Sequence, residues 1–248
     1  MVDKPLLREF WDTAATEAGT FPPPRFGDLP AAVQRYLGHA IAPGTPLANA
    51  VRLRMHGHIK LERWLPFKAE QVIRRDRGMI WKATARVSGI SVSGYDRLVD
   101  GEGAMRWKLM GILPVMKASG PDITRSAAGR VIGESMWLPS MLCGDAVAWH
   151  EADSKRLSAR VNVPPECADL NLEIGETGAL RSIKLSRWGN PGDTPFHYAD
   201  FGGEVEEEAT FDGFTIPSRV RAGWHFGSDR FDSEGEFFRA TIDHAEYR

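Results

Sequence analysis

The sequence predicts a mainly β protein with added helix. The expected architecture is a curved antiparallel half-barrel of about eleven strands, one helix across the concave face, and two short helices ahead of it. Three observations predict it. Hydrophobic periodicity changes from helical to two at Val51 and holds for most of the remaining chain. The gaps between strand-like runs are mostly too short for parallel crossovers, so neighbours pair antiparallel. One well-signed helical segment interrupts the strands near the middle. A sheet of that many strands must curl or close to bury a face.

Leu6, Leu7, Phe10, Trp11, Ala14 and Ala15 recur at helical spacing, with Asp3 as the cap and Gly19 as the stop. The polar face lacks the Lys/Arg richness of a membrane-surface helix, so this helix is expected to dock on its own protein. The FPPPR run, Phe21 to Arg25, is a stiff extended linker. A second short helix follows, capped by Asp28, with Pro30 in its first turn and Gly38 at its end. Leu29, Val33, Tyr36 and Leu37 form its apolar stripe. Residues 1–45 thus make a helical arm and linker, and residues 46–248 the half-barrel.

In VRLRMHGHIKL, Val51, Leu53, Met55, Ile59 and Leu61 share one face, and Arg52, Arg54, His56, His58 and Lys60 the other. Strand-like runs continue at Phe67–Arg75, Met79–Val87, Ile90–Val99 and Ala104–Leu109. They resume at Arg156–Val163, Ala168–Ile174, Leu180–Trp188, Glu204–Thr210, Phe214–Phe226 and Glu234–Ile242. Asp212-Gly213 is a strong hairpin turn. The central helix is expected over 120–138. Ser119 and Asp122 form its capping box, Pro121 lies in its first turn, and Pro139 stops it. Ala127, Ala128, Val131, Ile132, Ser135 and Met136 give it a small-residue face.

A net charge of −2 argues against non-specific nucleic-acid binding. Cys143 and Cys167 lack metal-type spacing and are too few for a disulfide framework, which fits a reducing compartment. The N-terminus has no continuous apolar run, and no window approaches the roughly 20 apolar residues of a membrane span. The expected location is the cytoplasm, with no integral membrane segment. No P-loop, no G-x-S-x-G and no G-x-G-x-x-G feeding a helix is present, and no cofactor is expected.

Several landmarks occur in a recognisable order. They are LPAAVQRYL (Leu29–Leu37), MHG (Met55–Gly57), a W-x-A step (Trp81–Ala83) and GYDRLVDGEGAM (Gly94–Met105). An R-x-x-x-E-x-x-W-x-P run follows at Arg130, Glu134, Trp137 and Pro139. From residue 29 onward this order resembles a bacterial family of uncharacterised proteins, defined by a domain of unknown function. The resemblance implies no established activity. The β-rich plan is also similar to the outer-membrane lipoprotein carriers, which implies a half-barrel whose helices plug an apolar cavity. Fold alone does not fix function.

The stretch Gly103–Leu142 holds five of the eight methionines, together with Trp107 and Trp137. Methionine suits adaptable apolar walls and is equally a common core filler. The expected ligand wall is Met105, Trp107, Met110, Met116, Val131, Met136 and Trp137, with Trp81. Arg130 and Glu134 are four apart and share a helical face. On a solvated surface such a pair contributes about 0.3–0.5 kcal/mol. Inside a cavity, Glu134 suits acid–base work and Arg130 an anionic group. His56 and His58 share a strand face and offer either two metal ligands lacking a third or part of a basic anion-binding stripe. The plain alternative is a solvated polar face, opposite Glu206, Glu207 and Glu208. Only one of Tyr95 and Asp96 can face a cavity, and Asp96 is expected to be an ordinary edge residue. Two functions remain. One is binding of an apolar or amphipathic small molecule. The other is a cofactor-free lyase, isomerase or hydrolase acting on such a molecule, with Glu134 as acid/base and Arg130 as charge stabiliser.

Overall fold

The computed structural model describes residues 3–16, 19–87, 89–144 and 146–248. Its strands form one open, curved, antiparallel sheet. They are β1 (Ala50–Lys60), β2 (Trp64–Arg74), β3 (Gly78–Val87), β4 (Ile90–Val99), β5 (Glu102–Leu109), β6 (Leu113–Ser119) and β7 (Ala148–Glu151). The rest are β8 (Arg156–Val163), β9 (Glu166–Ile174), β10 (Leu180–Gly189), β11 (His197–Phe211), β12 (Phe214–Trp224) and β13 (Glu236–Tyr247). The helices are α1 (Asp3–Asp12), α2 (Ala31–Ala40) and α3 (Pro121–Glu134).

Two meanders, β1 to β6 and β7 to β13, join where β1 pairs with β13, leaving β6 and β7 as the two edges. The chain between β6 and β7 must therefore travel from one edge of the sheet to the other. That route is α3 and the 3-10 turns Ser135–Trp137 and Pro139–Leu142, which cross the concave face. Helix α3 touches β3, β4, β5 and β6 on one side and β8, β9 and β10 on the other. Curling the sheet around it buries Val131, Ile132, Leu138 and Leu142 against Leu53, Ile73, Met79, Leu98, Leu170 and Leu185. Each such side chain contributes about 1.5–3 kcal/mol of apolar burial.

Alternation holds along β1: Val51, Leu53 and Met55 are buried, while Arg54, His56 and His58 are exposed. Helix α1 docks on the opposite, convex face, where Leu7, Phe10, Trp11 and Ala14 pack on Ala50, Val72 and Ile80. Arg74 donates to the Phe10 carbonyl at 3.0 Å and Arg248 to the Asp12 carbonyl at 3.0 Å. Cations there suit the free carbonyls and negative dipole end of a helix C-terminus. Helix α2 buries Val33, Tyr36 and Leu37, part of the expected stripe. Asp212-Gly213 makes the two-residue turn from β11 to β12, with φ of 49° and 86°, as a type I′ hairpin requires.

Several expectations need correction. Among the described residues there are thirteen strands rather than about eleven. The added ones, β6 and β7, are short edges with weak periodicity, and β6 contains Pro114. Helix α3 ends at Glu134 and tightens into 3-10 turns, the second beginning at Pro139. Its N-cap is Gly120, with no side-chain cap; Asp122 accepts instead from Trp188 Nε1 at 2.9 Å. Helix α1 stops at Asp12, before Gly19, and α2 runs through Gly38 to Ala40. The Asp3 side chain lies outside the described residues. Among the described residues no helix is long and apolar enough to cross a membrane.

The β5–β6 hairpin projects Met110, Ile112, Leu113, Val115 and Met116, each more than half exposed. Replacing Ile112 and Met116 together by serine is expected to change stability by no more than about 0.5 kcal/mol in urea unfolding, as for other surface sites. A clearly larger loss would put this tip inside a core.

Candidate ligand cavity

Under α3, the concave face is incompletely filled. A cavity of about 240 Å³ lies between the helix and the central strands. For scale, an apolar cavity of about 150 Å³ accepts a benzene molecule. Its walls are largely apolar: Ile59 of β1, Trp81 of β3, Met105 of β5, Ile183 of β10, Phe201 of β11 and Val220 of β12. Phe238 of β13 closes the floor beside Trp81, their ring centroids 6.4 Å apart. Met136 and Trp137, which follow α3, line it on the helix side. Trp137 is held in place because its Nε1 donates to the Pro217 carbonyl at 3.0 Å.

One wall is ionic. Arg130 Nε donates to Glu134 Oε1 at 2.7 Å, and Arg130 Nη1 to Asp96 Oδ2 at 3.2 Å. The three side chains are 17%, 11% and 22% exposed respectively. The remaining carboxylate oxygens are also occupied. Gln71 Nε2 donates to Glu134 Oε2 at 2.6 Å, and Trp107 Nε1 to Asp96 Oδ1 at 3.0 Å. The Arg130 guanidinium stands 4.9 Å from the Trp81 ring centroid, within cation–π range. Burial raises the Asp96 carboxyl above its ordinary value, against the opposing pull of Arg130 and Trp107. Burial also pulls the Arg130 guanidinium down, but Glu134 and Asp96 outweigh it and its pKa rises.

Arg187 is the second cation lining the cavity. It lies on the same face of β10 as Ile183 and Leu185, folded against Gly129 of α3. A Cβ at position 129 would come within 2.9 Å of Arg187 Cγ, so glycine lets the arginine pass close to the helix. Gly94 does the same for Trp107, whose Cδ2 would stand 2.6 Å from an added Cβ.

Of the residues expected at a site, Trp81, Met105, Arg130, Glu134, Met136 and Trp137 come together around this cavity. Trp107 stands behind Trp81, with ring centroids 5.7 Å apart, and meets the site through Asp96. Val131 is core, 1% exposed. Met110 and Met116 are at the exposed hairpin tip, away from the cavity. His56 and His58 project from the convex face, and His56 Nδ1 is 2.8 Å from Asp243 Oδ1. Glu206 and Glu207 pair with Arg219 and Glu208 with His39, so none of them faces the two histidines. Asp96 is inward rather than an edge residue, because Arg130 and Trp107 satisfy it there.

Arg187, Phe201 and Phe238 are among the cavity residues that the sequence analysis does not single out, and Asp96 is the one it places at an edge. The available signal was parity. Asp96 shares a strand face with Leu98, and Arg187 with Ile183 and Leu185.

Residues 27–247 match a family of unknown function, DUF6920. The chain belongs to that family. No curated protein matches this chain. Among solved structures, this DUF6920 member is similar to a LolA superfamily protein from Nitrosomonas europaea, with a TM-score of 0.46 and 7% identity over 88% of this chain and 92% of that one. It is also similar to a domain assigned to outer-membrane lipoprotein sorting from Vibrio parahaemolyticus, with a TM-score of 0.38 and 7% identity over 81% and 86% of the two chains. A DUF1329 family protein from Desulfovibrio piger gives a TM-score of 0.36 and 13% identity over the same shares, 81% and 86%.

Proposed function

We propose that this protein binds an apolar or amphipathic small molecule in the cavity beneath α3. The observation that carries the reading is a largely apolar cavity of about 240 Å³ in which Asp96, Arg130, Glu134, Arg187 and Glu204 are the charged side chains. Cavities of that composition are the usual small-molecule sites, with a few polar groups fixing orientation. The volume favours one short aliphatic or aromatic body over a large lipid.

A cofactor-free enzyme would need a free acid–base group at the cavity. Both oxygens of Glu134 already accept hydrogen bonds, from Arg130 and Gln71. Glu134 then serves to hold Arg130 over Trp81, which favours binding over proton transfer.

Titration with the neutral fluorophore N-phenyl-1-naphthylamine tests this. Saturable binding to one site is expected for the wild type. Ala222→Phe, which adds a ring to the cavity wall, is expected to weaken that binding by roughly tenfold or more, the cost of losing contact worth about 1.4 kcal/mol. Absence of saturable binding, or an Ala222→Phe variant that binds equally well while folded, would remove the reading.

A further inference from the structure

Three polar groups in and beside this cavity are left without a full set of partners, and they differ from the satisfied ones in kind. The carboxylates of Asp96 and Glu134 have every oxygen occupied. Arg187 does not match them. Its Nε donates to the Ser126 carbonyl at 3.2 Å and its Nη2 to Ser126 Oγ at 3.4 Å, both neutral acceptors. Among the described residues no carboxylate lies within ion-pair distance of it, whereas Arg130 has two. The guanidinium instead sits 4.5 Å from the Phe201 ring centroid and 5.2 Å from that of Trp224. The second group is the Trp81 indole N–H, buried in a side chain only 2% exposed and without a hydrogen-bond partner. The third, Gln71 Oε1, is also unpartnered, but Gln71 is not part of the cavity wall.

Arg187 is therefore the cation of this wall without a carboxylate of its own; Glu204, the remaining carboxylate that lines the cavity, is half exposed and accepts from Arg221 Nε at 2.8 Å. A guanidinium held against aromatic rings at an apolar cavity loses solvation that only an anion restores in full. Burial, reinforced by the nearby Arg130, pushes the Arg187 pKa down to about 9, which leaves it charged at neutral pH. An oxyanion presents several acceptor lone pairs and meets a guanidinium in a fork. A ligand cation finds less of an opening beneath α3, because both oxygens of Asp96 and of Glu134 already accept, and Glu204 is shared with Arg221.

Resting on the binding reading above, we propose that the cavity selects amphipathic molecules with an oxyanion head, a carboxylate or a phosphate monoester, held by Arg187. The apolar body lies along Met105, Phe201, Val220 and Phe238. Asp96, Arg130 and Glu134 fix the surrounding wall and do not take the head.

Isothermal titration with octanoate, octyl phosphate and 1-octanol at pH 7 tests this, since the three share a chain and differ in the head. At least one of the two anions is expected to bind roughly tenfold or more tighter than octanol, in line with a charge-assisted hydrogen bond. The stronger anion identifies the head class. Arg187→Gln is expected to lower anion affinity towards that of octanol and so erase the preference, and Arg187→Lys to keep part of it. Equal affinity for all three ligands in the wild type would overturn the oxyanion assignment and leave the binding reading standing. So would a preference that survives in a folded Arg187→Gln variant. Binding of none of the three, with N-phenyl-1-naphthylamine also unbound, would overturn both.

Discussion

Arg130→Met is expected to lower stability by about 3–5 kcal/mol at pH 8, the range for breaking a buried ion pair from one side. Methionine keeps much of the length and apolar stem, so the loss isolates the charge. Without the guanidinium, Asp96 and Glu134 remain under α3 with no cation bonded to either. Burial already holds the Asp96 carboxyl above its ordinary value while Arg130 is present, and removing Arg130 raises it further. The sign follows from linkage. A carboxyl with a raised pKa in the folded state binds its proton more tightly folded than unfolded. Its penalty is absent below the unfolded value and grows as pH rises through the folded one. The variant is therefore expected to lose less stability at pH 5 than at pH 8, read by urea unfolding at the two values. Replacing all three charged residues at once, as Asp96→Leu, Arg130→Met and Glu134→Leu, is expected to recover a good part of the loss. A small, pH-independent cost for Arg130→Met alone would mean that water reaches the cluster and that it is no part of a closed wall.

The same three residues show how far the sequence reaches. Arg130 and Glu134 are four apart on a helix, so their pairing is legible from spacing alone. Their burial is not, because it depends on α3 crossing between the two sheet edges. That crossing is dictated by the β1–β13 pairing, which joins segments almost 190 residues apart and leaves no local mark. Asp96 shows two rules in conflict. Parity with Leu98 places it inward, and the rarity of buried aspartate places it outward. Parity wins because Arg130 and Trp107 supply the partners. The methionines failed for a different reason. Composition drew Met105, Met110, Met116 and Met136 into one wall, yet the chain turns back between Met110 and Leu113. Only Met105 and Met136 reach the cavity; the others ride on the exposed tip. The strands were legible wherever one face is buried and the other wet, as in β1, and illegible at the edges β6 and β7, where burial no longer alternates cleanly.

Trp137→Ala tests the other face of the same cavity. Trp137 is 2% exposed, and two hydrogen bonds run through it: its Nε1 to the Pro217 carbonyl and the Tyr247 hydroxyl to its own carbonyl at 3.1 Å. Truncation keeps the second and removes the first, together with most of a large buried side chain. A stability loss of about 3–5 kcal/mol is expected, the range for large aromatic truncations in a core. The unusual part is where the hole opens. Trp137 lines a cavity that already exists, so the space it vacates joins that cavity rather than forming an isolated void. An apolar space of this kind can stay dry and accept a small aromatic. Added indole is therefore expected to raise the melting temperature of Trp137→Ala more than that of the wild type, since it replaces the lost ring and binds only the folded state. The comparison separates two physical pictures of this region. If indole restores stability, the sheet and α3 hold their separation without the ring, and the cavity is a property of the scaffold. If the variant is destabilised and indole does nothing, the helix has collapsed onto the strands, and Trp137 itself is the strut that keeps the cavity open.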